Sequence, residues 1–502
     1  MSGNTDHFCD DLCSLPQPGL GPILVTGATG YVGGRLVLEL IARGYQVRVL
    51  VRAKSSGEAE RWPGADVAVG DAADPTALRE ALRGVYAAYY LIHSLLLGAK
   101  KFGAVEAVNA RNFRQAAEAA GVKRIIYLGG LGDVRTLLSP HLRSRMGVAD
   151  ELRGSATVAT TVLRAAIIIG SGSSSYEIIH HLVKRFPVVL LPPWTVTRCQ
   201  PIGIRDVIRY LVGVLEKPET AGESFDIGGQ DVLTYEAMMR TLATILGKKP
   251  LFLKTMVSSV HAYAYLAGLA TPVPAPIVRS LMEGLRNDVT CENDRIRTFL
   301  PFQPLSYREA IVEAMSREEQ DAVHTRWSDS YPPAHELAIK LHELKHAPRY
   351  TATYFIRTPR PGPALFHSIC LIGGKEGWFH GNWMWRLRGV LDKLLMGVGT
   401  ARGRRSSSTL RVNDVIDFWR VEVLDPNRRL LLRAEMKLPG RAWLEFRIEP
   451  EEAVNRFSVQ AYFDATLLFG DLYWYLFMPF HKYIFEHLLK QIDRRSSGQP
   501  EA

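Results

Sequence analysis

The pattern of apolar and polar positions divides the chain into two parts with different periods. Near the start, Ile23-Leu24-Val25 is apolar on both faces, as a central parallel strand requires. The turn Thr26-Gly27-Ala28-Thr29-Gly30-Tyr31-Val32-Gly33 follows at once. Val32, Leu36 and Leu40, with Val37 and Ile41 beside them, predict a helix that ends at Gly44, and Val47, Val49 and Val51 alternate as a second strand. Further strands are predicted over 66–71, 87–92, 124–128 and 162–169, with a helix from Phe102 to Ala120 among the segments between them. Strands alternating with helices predict an α/β Rossmann-like architecture, a doubly wound parallel sheet with its ligand at the carboxyl ends of the strands.

Between Asp321 and Tyr350 this pattern breaks, and Ser328-Asp329-Ser330-Tyr331-Pro332-Pro333 reads as a turn-rich connector. Beyond it the period becomes two. Strands are predicted over 351–356, 414–424, 430–437, 442–448 and 457–463, punctuated by turns such as Asp425-Pro426-Asn427 and Leu438-Pro439-Gly440. A long amphipathic segment, Tyr473 to Ile492, closes the series. The expectation is an α+β domain, an antiparallel sheet covered by a C-terminal helix. Residues 1–20 are expected to be a disordered leader, 21–320 the dinucleotide domain with a substrate subdomain at about 194–315, 321–349 a linker, 350–492 the second domain, and 493–502 a disordered tail. The glycines Gly373, Gly374 and Gly377 follow no strand–turn–helix pattern and read as a turn.

The first glycine cluster has the spacing that dinucleotide chemistry needs. Gly27 permits the tight turn out of the strand, Gly30 lets backbone approach a pyrophosphate, and Gly33 lets the helix press on the sheet. The helix N-terminus offers unpaired N–H groups to the phosphates. Thr26, Thr29, Tyr31 and Val32 belong to the same turn. Where an NAD enzyme places a carboxylate for the ribose hydroxyls, this chain has Arg52, followed by Lys54 and Ser55. A guanidinium pairs with a 2′-phosphate that a carboxylate would repel, so NADP is expected over NAD. Asp71, ending the third strand, is placed to reach the adenine.

Composition changes little in this picture. At 502 residues, two or three domains are natural, and 47% hydrophobic with 22% charged residues describes a globular protein. The formal net charge of +10 suits an acidic ligand or an anionic surface, but it is scattered and no nucleic-acid module accompanies it. Five cysteines form no ladder and no metal-type pair, so no metal site is expected and a reducing compartment, the cytoplasm or the inner face of its membrane, is the simple reading. No signal peptide or uninterrupted apolar span is apparent.

Thr26 to Gly33, Arg52 after Leu50-Val51, Gly70-Asp71, and Gln200-Pro201-Ile202 leading into Asp206-Val207 together resemble the atypical short-chain dehydrogenase/reductases, near their NmrA-like branch, over about 23–315. The resemblance implies a dinucleotide held on the sheet and a small C-terminal part shaping a substrate pocket. It also implies a Ser-Tyr-Lys set that this chain lacks. Gly129-Gly130-Leu131-Gly132 stands where a Ser/Thr pair is expected, and His141-Leu142-Arg143-Ser144-Arg145 keeps the spacing of YxxxK as HxxxR. A histidine can titrate near neutrality and donate a proton, so His141 is the first catalytic candidate, with Arg145 on the ribose and His93 as the second histidine. Otherwise that helix is a scaffold and the fold only binds NADP.

The words Trp383-Met384-Trp385-Arg386-Leu387-Arg388-Gly389, Asp417-Phe418-Trp419-Arg420 and Glu435 to Trp443 resemble a bacterial domain of unknown function that follows such NADP-binding domains. The resemblance implies a helix-grip fold; a sheet curled on one helix leaves a cavity at its open end, where Trp385, Trp419 and Trp443 are expected to line an apolar ligand site. Asp417, Arg420, Glu435, Lys437 and Arg441 either orient that ligand or pair across neighbouring strands. Leu472 to Phe480 either packs on the sheet or lies in a membrane interface. The functional expectation is an NADP-dependent oxidoreductase with an apolar substrate. A non-catalytic NADP-binding redox sensor or assembly factor, and a peripheral membrane protein handling lipid, are the alternatives.

Overall fold

The computed structural model describes residues 7–52, 61–92, 102–132, 139–256, 259–319, 325–330, 339–374, 377–378, 382–400, 402–406 and 409–496. They divide into two compact units, one built chiefly of residues up to Pro333 and the other chiefly of residues from Ala334 on.

In the first unit the glycine turn joins β1 (Ile23–Thr26) to α1 (Tyr31–Ala42), and β2 (Val47–Val51), β3 (Asp66–Val69), β4 (Ala87–Tyr90), β5 (Arg124–Gly130), β6 (Ala159–Ala165) and β7 (Ser224–Ile227) complete the main sheet. All pairings are parallel and the order is β7-β6-β5-β4-β1-β2-β3. The order reverses between β1 and β4, so the loops leaving those two strands splay apart and open a crevice at their carboxyl ends. One face of the sheet is covered by α1 and the helix Ile204–Glu216. Leu78, Phe113 and Leu152, from helices on the other side, pack with Leu24, Ile125 and Val162 in a second core. This double cover explains why the strands read as continuous apolar runs.

Several sequence-based expectations are corrected here. Residues 7–20 are ordered rather than a disordered leader: Phe8, Cys9 and Leu12 enter the core. The backbone N–H of Phe8 donates to Glu39 (2.8 Å), and the Ser14 hydroxyl donates to Glu216 (2.5 Å). Buried Glu39 and Glu216 need those donors, and that need pins the segment down. The predicted strand over 162–169 is broken: Ile168–Ile169 leaves the sheet to pair with Ile202–Gly203. Within the expected linker, Thr325 to Ser330 packs on the first unit, where Trp327 N–H donates to Gly172 (2.8 Å) and Arg35 donates to the Thr325 carbonyl (3.0 Å).

The second unit is a six-stranded antiparallel sheet of β8 (Tyr350–Thr358), β9 (Val415–Ile416), β10 (Trp419–Asp425), β11 (Arg429–Ala434), β12 (Gly440–Glu451) and β13 (Val454–Ala465), ordered β8-β13-β12-β11-β10-β9. Asp417 at φ 56° makes the corner between β9 and β10, and Asn427 at φ 62° makes the expected turn after Pro426. Gly373, Gly374 and Gly377 all have positive φ and close a turn, as expected. Two helices that the period-two reading missed are Gly362–Cys370 and α3 (Asn382–Leu394). The final helix, α4 (Leu467–Arg495), packs on β8 and β13. It is longer than the amphipathic stretch predicts and runs into the expected disordered tail, where Ser496 is buried. Among the described residues no helix is long and apolar enough to cross a membrane.

Candidate functional site

The crevice begins at the glycine turn. Gly27 sits at φ 67°, and a Cβ there would lie 2.5 Å from the Leu91 carbonyl oxygen, so the turn passes directly against the segment leaving β4. A Cβ on Gly33 would lie 2.3 Å from the Gly27 carbonyl oxygen, because α1 starts in contact with the turn. Gly30 is the N-cap of α1 and carries no side chain to satisfy the first-turn N–H groups, which face out of the helix end. Its N–H donates to Gly27 (2.9 Å), which closes the loop. Tyr31 and Val32 are half-buried against the core, and a Cβ on Gly170 would meet the Tyr31 hydroxyl at 2.5 Å.

Thr26 does not offer its side chain to this cradle. It is fully buried, donating its hydroxyl to the Tyr89 carbonyl (2.9 Å) and accepting from Leu91 N–H (3.3 Å), which pins β1 to β4. Arg52 is exposed at the carboxyl end of β2, one strand from the turn. Asp71 is exposed just past β3, with one carboxylate oxygen accepting from Ala73 N–H (2.8 Å). Lys54, Ser55 and His93 lie outside the described residues. A cation not foreseen is Arg61, which donates to the Thr29 carbonyl (3.2 Å) and to Asp329 (3.2 Å) beside the turn. No local signal marks it, since its partners are thirty and more residues away in the chain.

Gly129 and Gly130 end β5, leaving its carboxyl end without side chains. Behind it runs α2 (Pro140–Arg153), whose N-cap Ser139 accepts from Leu142 N–H (3.3 Å). His141 lies in its first turn and is half-buried. Arg145 turns back toward β5: it donates to the Leu128 carbonyl and lies 4.9 Å from the centre of the Tyr127 ring. Tyr127 cannot substitute for a catalytic tyrosine, because its hydroxyl donates to the Arg145 carbonyl (3.1 Å). Burial pushes its pKa up to about 12, against the opposing charge of Arg145.

In the second unit Glu435 is the centre of an ion cluster. It accepts from Arg402 (2.7 Å), Arg420 (2.5 Å) and Arg433 (3.2 Å), all buried. Burial favours the neutral acid, but the guanidiniums of Arg420 and Arg402 outweigh it and hold the carboxyl at about 2. Asp417 goes the other way: burial raises it to about 6, although it accepts from the Trp378 indole (2.9 Å). These groups therefore knit the sheet and its corner together. Arg441 faces Asp464 (4.0 Å) across strands. Beside this cluster the sheet, α3 and α4 enclose a cavity of about 270 Å³, with Trp385, Trp419 and Trp443 in its wall. Tertiary folding thus gathers the three tryptophans singled out in the sequence. Among the described residues no cluster of three or more metal-ligating side chains occurs.

A glycine cradle at a helix N-terminus, at the switch point of a parallel sheet, defines the first unit as a dinucleotide-binding type of domain. The chain belongs to the NmrA-like family, whose profile matches residues 21–290, and residues 345–488 match a family of unknown function, DUF2867. Among curated proteins, a ceramide reductase of Caulobacter vibrioides is 30% identical over 233 residues, covering 46% of this chain and 72% of that one. A photosystem II assembly factor, Ycf39, of Trieres chinensis is 25% identical over 248 residues, covering 48% and 76%. A solved nucleoside-diphosphate-sugar epimerase of Staphylococcus aureus superposes with a TM-score of 0.48 at 18% identity, covering 58% of this chain and 99% of that one.

Proposed function

We propose that the first unit binds NADP(H) and that the protein is an oxidoreductase of the short-chain dehydrogenase/reductase type. The observation that carries this reading is the cradle: three glycines whose missing side chains bring β1, β4 and α1 into contact and leave an uncapped helix N-terminus at the crevice. Relatives named as reductases, of ceramide and of divinyl chlorophyllide, support reduction as the reaction and an apolar molecule as the substrate.

In this reading Gly27, Gly30 and the first turn of α1 hold the pyrophosphate, and Arg61, paired with Asp329, braces the turn through the Thr29 carbonyl. Arg52, at the end of β2, pairs with the 2′-phosphate and so favours NADP over NAD. A bound nicotinamide would supply hydride. His141 would deliver a proton to the reduced product, and Arg145 acts as a positioning residue that ties α2 to the end of β5. Calorimetry tests the cofactor assignment. NADPH should bind more tightly than NADH, and Arg52→Ala should remove a preference of roughly 1–3 kcal/mol, the range of a charge-assisted bond. Equal affinities in the unaltered protein would refute it. Consumption of NADPH in the presence of a cell extract tests the activity.

A second reading is a non-catalytic NADP-binding sensor or assembly factor. The bare end of β5 and the engaged Arg145 favour it, and one relative is named as an assembly factor. Tight NADPH binding without any consumption would decide for it.

A further inference from the structure

The cavity of the second unit has an apolar wall that contains polar groups with no partner among the described residues. Trp385 and Trp419 are buried, yet their indole N–H donors have no acceptor among the described residues, and neither has the inaccessible Nδ1 of half-buried His481 a partner. Other buried tryptophans of this unit are not like this: Trp378 donates to Asp417 (2.9 Å) and Trp443 to Glu422 (3.1 Å). A buried donor without an acceptor loses its water and gains nothing, so two neighbouring cases in one cavity wall call for an acceptor that the chain does not supply.

The charge in the wall is equally one-sided. Among the described residues that line the cavity, Arg388 is the only charged side chain, and none is Glu or Asp. Its Nε meets only the Met436 sulfur (3.3 Å), its guanidinium lies 4.9 Å from the Tyr473 ring centre and 5.4 Å from that of Phe477, and no carboxylate pairs with it among the described residues. His481 adds no second cation: burial first, and then Arg388, push it down to about 4, so it is neutral at physiological pH. A half-buried guanidinium lying on aromatic rings and unpaired by any described carboxylate is a strong partner for a carboxylate.

Size and access narrow the ligand further. The volume of about 270 Å³ lies just below the usual span of small-molecule sites, about 300–1,000 Å³. It corresponds to about nine times the roughly 30 Å³ that one water occupies in the liquid. Trp383 (64% exposed), Leu387 (53%) and Phe480 (52%) line the cavity and also face solvent, so the way in is itself apolar.

We propose that this cavity is a binding site for a medium-chain carboxylate, with the hydrocarbon chain among Trp385, Trp443, Phe477 and Phe485 and the carboxylate on Arg388 and the unpaired donors of the wall. The site lies wholly within the second unit and needs neither cofactor nor turnover, so it stands or falls apart from the hydride-transfer reading.

The test uses the delipidated full-length protein and three probes, decanoate, methyl decanoate and decanol, followed by calorimetry and by quenching of tryptophan fluorescence. Decanoate should bind saturably with one equivalent, at least tenfold more tightly than the ester or the alcohol. Arg388→Leu should abolish that preference while leaving ester binding within about twofold. Trp419→Phe, which removes one donor and keeps the ring, should weaken decanoate several-fold. Ester or alcohol binding as tight as decanoate in the unaltered protein overturns the carboxylate assignment even if no variant folds. Absence of saturable binding of all three probes overturns the site, and a preference that persists in Arg388→Leu removes that residue from it.

Discussion

Two alanine substitutions one turn apart separate packing from ligand contact at the cradle. At Gly33 the added Cβ would lie 2.3 Å from the Gly27 carbonyl oxygen, 2.8 Å from its carbon and 3.1 Å from Ala28 Cα. All three are backbone atoms, and no flexible side chain can yield. A carbon against a carbonyl oxygen settles at about 3.3–3.6 Å, so α1 would have to withdraw by about 1 Å. Overpacking of this kind costs about 1–3 kcal/mol, and α1 lies against the sheet through Leu36, Val37 and Leu40, which would lose contact together. At Gly30 the only close neighbour among the described residues is the Gly27 oxygen at 3.1 Å, and φ −79°, ψ 175° is backbone that any residue adopts. Gly30→Ala should therefore leave the melting temperature nearly unchanged yet weaken NADPH at least tenfold, because the new methyl group would occupy the approach to the pyrophosphate. Gly33→Ala should lower the melting temperature by several degrees, at about 2–4 °C per kcal/mol for domains of 150–250 residues, and weaken NADPH as well. Differential scanning fluorimetry and calorimetry read the two effects. Unchanged NADPH affinity in Gly30→Ala would refute the cradle as the phosphate site, and an unchanged melting temperature in Gly33→Ala would refute the packing argument.

His141→Gln should abolish NADPH-dependent turnover with cofactor affinity nearly intact; full activity in that variant would exclude His141 from proton transfer. Arg145→Met removes a charged donor from the Leu128 carbonyl and should lower stability by about 1.5–3 kcal/mol, measured by urea unfolding. In the second unit, Glu435→Gln leaves three buried guanidiniums without their carboxylate and should cost about 3–5 kcal/mol. Because the folded carboxyl sits at about 2, below its unfolded value near 4.3, its contribution is fully present above that value and is lost as pH falls toward 2. Unfolding followed between pH 5 and 2 should show that loss in the natural protein and a flatter profile in Glu435→Gln.

What the chain determines locally, its sequence shows. The strand–turn–helix around Gly27, Gly30 and Gly33 is legible because apolar period and glycine freedom act over a few residues, and the same holds for the period-two strands beyond Tyr350. The position of Arg52 at the carboxyl end of the second strand is legible because it follows that strand directly. The order of residues 7–20 is not legible, because the carboxylates that fix Phe8, Cys9 and Ser14 belong to Glu39 and Glu216, far along the chain. Only tertiary structure decided that Thr26 pins two strands instead of facing the crevice, that Arg61 comes to the turn, and that Arg145 turns back under β5. The cavity is the clearest case. Trp385, Trp419 and Trp443 could be singled out as aromatic residues. That two of the three lack an acceptor among the described residues, beside an Arg388 that no described carboxylate pairs, depends on which atoms folding sets side by side, and hydrogen bonds and ion pairs over such separations leave no periodic trace in a sequence.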